Sequence, residues 1–246
     1  MELFHLTSAQ WFLCVFSAVL IGFSKTGIGG VATLMVPIMA SIFGGKASSG
    51  IVLPMLVFGD LIAVNRYRKH ADKRHVMKLL PWAVAGLILG LAVGNLVNDA
   101  HFKMIIGVTV IAGLAVMIIL EKRSSSVPEH WAFAAILGLA GGFSTMVGNA
   151  AGTVMSVYLL SMRLPKYSFI GTGAWFFMII NLIKIPLQII FWHGITPQTL
   201  VFNAMMIPPI LIGAFIGIHI VRKLPEKPFR YMVMALTAVA AAKLFF

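Results

Sequence analysis

The chain has 246 residues, 60% of them hydrophobic and 11% charged, with a mean hydropathy of +0.97, which excludes an ordinary soluble domain. Its net charge of +12 would suit nucleic acid, but the Lys and Arg stand in short loops between apolar runs. There they mark the cytoplasmic side of a membrane and exclude that partner.

The first apolar run covers 11–43 and follows Glu2 with no positive n-region, so it reads as a retained membrane segment. A continuous helix of that length would be about 50 Å long, against a hydrocarbon core of about 30 Å. The run is interrupted near its middle by Gly22-Phe23-Ser24-Lys25-Thr26-Gly27-Ile28-Gly29-Gly30. The economical solution is a re-entrant hairpin of two short helices, whose turn must be buried in protein or line a wet cavity. The lone cysteine, Cys14, lies in this run; it excludes a disulfide framework and reads as a small buried hydrophobe.

Spans at 47–65, 79–97 and 103–120 follow, then a cytoplasmic linker at 121–130. The pattern then starts again. The run 131–161 is broken at Gly142-Phe143-Ser144-Thr145-Met146-Val147-Gly148-Asn149-Ala150-Ala151-Gly152, and 168–192, 201–221 and 230–246 complete it. Trp11 aligns with Trp131, Gly22-Phe23-Ser24 with Gly142-Phe143-Ser144, Thr33 with Thr153, and Lys46 with Lys166. After seven inserted residues, Pro81 aligns with Pro208, Gly86 with Gly213 and Gly90 with Gly217. The chain is thus a single transmembrane domain over 1–246, built from repeat 1 (11–120) and repeat 2 (131–246). Such duplication in an apolar chain is a mark of transporter folds.

Charge orients the repeats. The loop 66–78 carries Arg66, Arg68, Lys69, Lys73, Arg74 and Lys78, whereas its counterpart near 193–200 carries no Lys or Arg. The next loop reverses this: 96–103 is nearly neutral, while 222–230 is basic. Equivalent loops therefore belong on opposite sides of the membrane. The expected fold is an all-α polytopic membrane protein of two inverted repeats, each a re-entrant hairpin plus three transmembrane helices, with basic loops cytoplasmic and both termini outside. Counted conventionally, that is eight hydrophobic segments. The rival arrangement, eight full spans with parallel repeats, fits the charge alternation poorly.

Lys25 lies near mid-depth in a glycine-rich break, where a charge is costly and faces a cavity or a partner. A helix starting near Gly30 would aim its amides at the same spot, Gly29 and Gly30 admit close approach, and Ser24 and Thr26 offer hydroxyls. Together these suit a small oxyanion; the alternative is a Lys25 paired with a carbonyl or with Asp60. The second break offers Ser144, Thr145, Gly148 and Asn149 without charge, as further ligands or as a tight helix contact. Asn181, Lys184 and Gln188 share one helical face that should point inward. Lys184 reads equally as a substrate contact or as a snorkelling side chain. Asp60, the one carboxylate inside an expected span, is a coupling candidate or a structural partner of nearby Arg66. No metal site, nucleophile–base pair or cofactor fingerprint is visible, so neither an enzyme nor a cofactor is expected.

Taken together, Gly27-Ile28-Gly29-Gly30 followed by Pro37, Gly50 through Asp60 leading to Tyr67, Pro81 with Gly86 and Gly90, and Gly148-Asn149-Ala150-Ala151-Gly152 leading to Tyr158-Leu159-Leu160 resemble the sulfite exporter TauE/SafE family, also called the toluene sulfonate uptake permeases. The chain departs from the pattern at Val31, where many relatives have a third glycine, and at Thr153, where a proline often follows. The resemblance implies a multi-pass inner-membrane permease that moves sulfite or organosulfonates, usually outward, with a small anion and the lipid bilayer as partners. It leaves room for a homo-oligomer. A membrane scaffold or assembly factor that transports nothing is the competing expectation; cation transport suits so few buried carboxylates poorly.

Overall fold

A computed structural model describes residues 6–96, 98, 101, 104, 108 and 131–242. The expected span 103–120, apart from residues 104 and 108, the linker 121–130 and the last four residues of the expected span 230–246 lie outside the described residues. Within them the chain is helical and contains no strand.

Helix α1 (Ser8–Thr26) starts at a capping box, with the Thr7 side chain accepting from the Gln10 amide and the Gln10 side chain reaching back. A 3₁₀ turn at Val31–Leu34 leads into α2 (Met35–Phe43), and α3 (Gly45–Tyr67) and α4 (Lys73–Leu96) follow. The second half begins with α5 (Trp131–Gly148), α6 (Ala151–Ser161) and α7 (Lys166–Ile190). Next come α8 (Pro197–Met205), α9 (Ile207–Lys223) and α10 (Glu226–Ala242). Among the described residues, α1, α3, α4, α5 and α7 are each long and apolar enough to cross a membrane. The pair α8 and α9 makes a sixth candidate span, bent by 46°. The bend falls just before Pro208 and Pro209, which have no amide hydrogen to carry a helix ladder through. The protein is therefore a multi-pass membrane protein.

Both breaks are narrower than the glycine pattern suggests. Helix α1 runs on through Gly22, Ser24 and Lys25 to Thr26, and α5 runs through Gly142, Ser144 and Thr145 to Gly148. The glycines at 22 and 142 serve packing, not chain reversal. A methyl group on Gly22 would run into the carbonyl of Ile210 in α9, and one on Gly142 into the carbonyl of Ala83 in α4. The partner glycines return the contact, Gly213 against Val19 and Gly86 against Leu139. Each half thus lends its first helix to the other half, α1 on α9 and α4 on α5, at backbone-to-backbone distance.

Helices α3 and α7 cross the middle of the bundle in opposite directions. Near the start of α3, Gly50 lies on Gly194, just past the end of α7. Near the start of α7, Gly171 lies on the Tyr67 carbonyl at the end of α3. Where they cross, Asp60 meets Asn181, each fifteen positions into its helix (60 minus 45, 181 minus 166). The corresponding threonines of the two halves also meet, Thr33 Oγ1 to Thr153 Oγ1 at 3.4 Å.

Candidate functional site

The two breaks face each other. The backbone passes from α1 through Gly27 and takes a left-handed conformation at Gly30 (φ 89°), which favours glycine. In the second half Asn149 takes the left-handed position (φ 56°), and the Ala150 amide donates to the Ser144 carbonyl six residues into the turn. Asparagine tolerates that conformation better than other side chains, and the left-handed position falls one residue earlier than Gly30 in the alignment of the halves.

Between the breaks lies a cavity of about 60 Å³, room for roughly four waters or one small anion. Ser24, Lys25, Gly29 and Gly30 line it from the first half and Thr145 and Asn149 from the second, while α7 contributes Asn181. Seven of the eleven expected ligands therefore share one wall system. The other four lie elsewhere. The Thr26 hydroxyl donates to the carbonyls of Gly22 at 3.0 Å and Ala214 at 2.9 Å, tying α1 to α9. Ser144 and Gly148 are buried in α5, outside the lining.

Lys184 is fully buried and also stands outside the lining. Its ammonium does not snorkel toward His193; it donates to the Thr145 carbonyl and, at 2.6 Å, to Asn149 Oδ1. A cation at the C-terminal end of α5 satisfies carbonyls that the broken helix leaves open. Asn149 in turn donates from Nδ2 to the Ser49 carbonyl at 3.0 Å, so its side chain is committed to holding the break in shape.

Lys25 is 10% exposed and reaches Asp60 Oδ1 at 2.7 Å, with its ammonium 4.2 Å from the centre of the Phe177 ring. Asp60 is fully buried and accepts from Asn181 Nδ2 at 2.7 Å. It pairs with Lys25 across the bundle, not with Arg66 on its own helix. Placement decides this, because Asp60 and Lys25 point inward from α3 and α1 while Arg66 is exposed. Lys25 and Asp60 balance each other as a pair, and Lys184 is bound to oxygens of the second break outside the cavity lining.

Further side chains hold the two breaks in place. Tyr67 donates its hydroxyl to the Thr26 carbonyl at 2.9 Å, closing the end of α1. On the other side Gln188 donates to Ser49 Oγ at 3.1 Å, and Ser49 donates to the Met146 carbonyl at 3.1 Å. Phe177 could have been found, since it stands one turn before Asn181 on the same face of α7. Among the described residues no group of three or more His, Cys, Asp and Glu gathers in metal-binding geometry.

Residues 14–244 match the family model described as sulfite exporter TauE/SafE. Among curated proteins, the chain is similar to a protein of Paramagnetospirillum magneticum named "Probable membrane transporter protein MamO". That relative is 21% identical, over 91% of this chain and 45% of the relative. A protein of the same name from Magnetospirillum gryphiswaldense is 21% identical, over 77% of this chain and 37% of its own length. The chain thus spans less than half the length of these curated relatives.

Proposed function

Since the chain belongs to the sulfite exporter TauE/SafE family of membrane transporters, we propose that it exports a small sulfur-containing anion, sulfite or an organosulfonate, across the bacterial inner membrane. The anion sits between the two breaks, with Lys25 supplying charge, Ser24 and Thr145 supplying hydroxyls, and Gly29 and Gly30 giving access to backbone amides. The observation that carries the reading is the cavity itself, a largely apolar space between the breaks with Lys25, Ser24 and Thr145 in its wall.

Transport follows from the relation of the halves. They act as inverted repeats about the cavity, and access alternates as one moves against the other. The opposite courses of α3 and α7 support this arrangement, as do the reciprocal glycine contacts and the meeting of Thr33 with Thr153. Basic loops face the cytoplasm. Export of an anion from a negative interior runs downhill in the membrane potential, by about 2.3 kcal/mol per charge per 100 mV.

A binding panel tests the site. Detergent-purified protein is unfolded thermally with sulfite, thiosulfate, short organosulfonates, sulfate, chloride and acetate. A ligand that binds only the folded state at a hundred times its Kd adds about 2.7 kcal/mol of stability and raises the transition. Stabilisation by sulfite or sulfonates, absent in Lys25→Ala, is the expected result. Equal transitions with every anion would remove the site and leave a scaffold that transports nothing.

A further inference from the structure

A fully buried carboxylate is costly to place beside a site for an anion, yet Asp60 sits on Lys25, the one cation among the described residues that line the cavity. Asp60 and the incoming anion therefore compete for the same ammonium. With both bound there, two negative charges would share one positive charge in a medium where repulsion is poorly screened. Asp60 cannot swing away into water, because it is enclosed by α3 and α7 and held by Asn181. Relief has to come from a proton.

Asn181 is built for that proton. Its amide is 1% exposed; Nδ2 donates to Asp60 Oδ2, while Oδ1 has no hydrogen-bond partner among the described residues. Half a turn of the amide exchanges donor for acceptor, so the same side chain can donate to a carboxylate or accept from a carboxylic acid. Of the other ionisable groups near α3, Cys14 on α1 is a buried thiol, and Arg68, Lys69 and His70 stand exposed in the turn after α3. Helices α2, α5 and α8, which pack on α3, contain none. Those of α9, His219, Arg222 and Lys223, stand exposed toward its far end. On α7, Lys184 lies one turn beyond Asn181, with its ammonium bound to Thr145 and Asn149.

We propose that Asp60 is the internal competitor of the substrate for Lys25, so that each anion bound is accompanied by a proton taken up on Asp60 and received by Asn181 Oδ1. This rests on the anion reading of the cavity and specifies its coupling. The proton comes from water and forms an O–H bond at Asp60; the substrate undergoes no covalent change, and anion and proton cross together, so that a sulfite dianion still carries one net negative charge outward while a sulfonate crosses without net charge. By linkage, anion affinity then falls as pH rises, by up to about tenfold per pH unit while one proton accompanies each anion.

Calorimetric titration of the native protein with methanesulfonate and with sulfite, each in two buffers of different ionisation heat, measures the protons directly. Methanesulfonate keeps its charge throughout, and the ionisation of sulfite itself is subtracted. The native protein is expected to take up about one proton per anion; Asp60→Asn should take up one fewer and bind more tightly above neutral pH. Binding without proton uptake by the native protein would overturn the proposal, as would undiminished uptake by a folded Asp60→Asn variant. Should that variant fail to fold, binding without proton uptake by the native protein still overturns the proposal. Absence of binding by either anion would remove the anion site and the coupling together.

Discussion

At the scale of single residues, the interior is organised around Lys25, Asp60 and Asn181, drawn from three helices. Removing one partner of a buried ion pair leaves an uncompensated charge and costs about 3–5 kcal/mol, whereas replacing both with apolar residues is often close to neutral. Lys25→Met should therefore lower the stability of the purified protein by about that amount, and Lys25→Met with Asp60→Leu should recover most of it. Neither variant should bind the anion. Equal unfolding curves for Lys25→Met and the native protein would show that Asp60 does not depend on Lys25 for its charge balance. Lys25 and Asp60 were both visible in the sequence as costly charges in apolar segments. Their pairing was open, because a partner 35 residues away is set by the bundle and not by local spacing.

At the scale of elements, the glycines divide into two kinds. Gly22, Gly86, Gly142 and Gly213 hold helices at backbone contact, whereas Gly141, next in sequence to one of them, has its nearest neighbour at 3.8 Å from an added methyl group. Ordinary overpacking costs about 1–3 kcal/mol, and a clash with backbone carbonyl oxygen has no flexible side chain to absorb it. Gly22→Ala and Gly142→Ala should each cost at least about 3 kcal/mol or abolish folding. Gly141→Ala should unfold within about 0.5 kcal/mol of the native protein in the same assay. The helices themselves were legible from apolar run lengths and the internal repeat. The ends of the breaks were not, because a glycine that permits close packing and a glycine that ends a helix look alike in sequence. Only the neighbours distinguish Gly22, packed on Ile210, from Gly30, turned left-handed.

At the scale of the whole molecule, the central claim is that two halves of one chain enclose an anion and move against each other to pass it through. The Thr33–Thr153 contact, 3.4 Å between hydroxyl oxygens, lies between the two breaks and offers a lock. In a Cys14→Ser background, Thr33→Cys and Thr153→Cys place two thiols there without touching Lys25, Asp60 or Asn181. The most direct measurement is sulfite efflux from proteoliposomes holding this double-cysteine protein, oxidised and then reduced, alongside liposomes without protein. Saturable efflux in the reduced state that accelerates with an inside-negative potential, and stops when the disulfide joins the halves, is the predicted result. Efflux no faster than from empty liposomes would contradict transport of this anion, and undiminished efflux through the cross-linked protein would contradict movement between the halves.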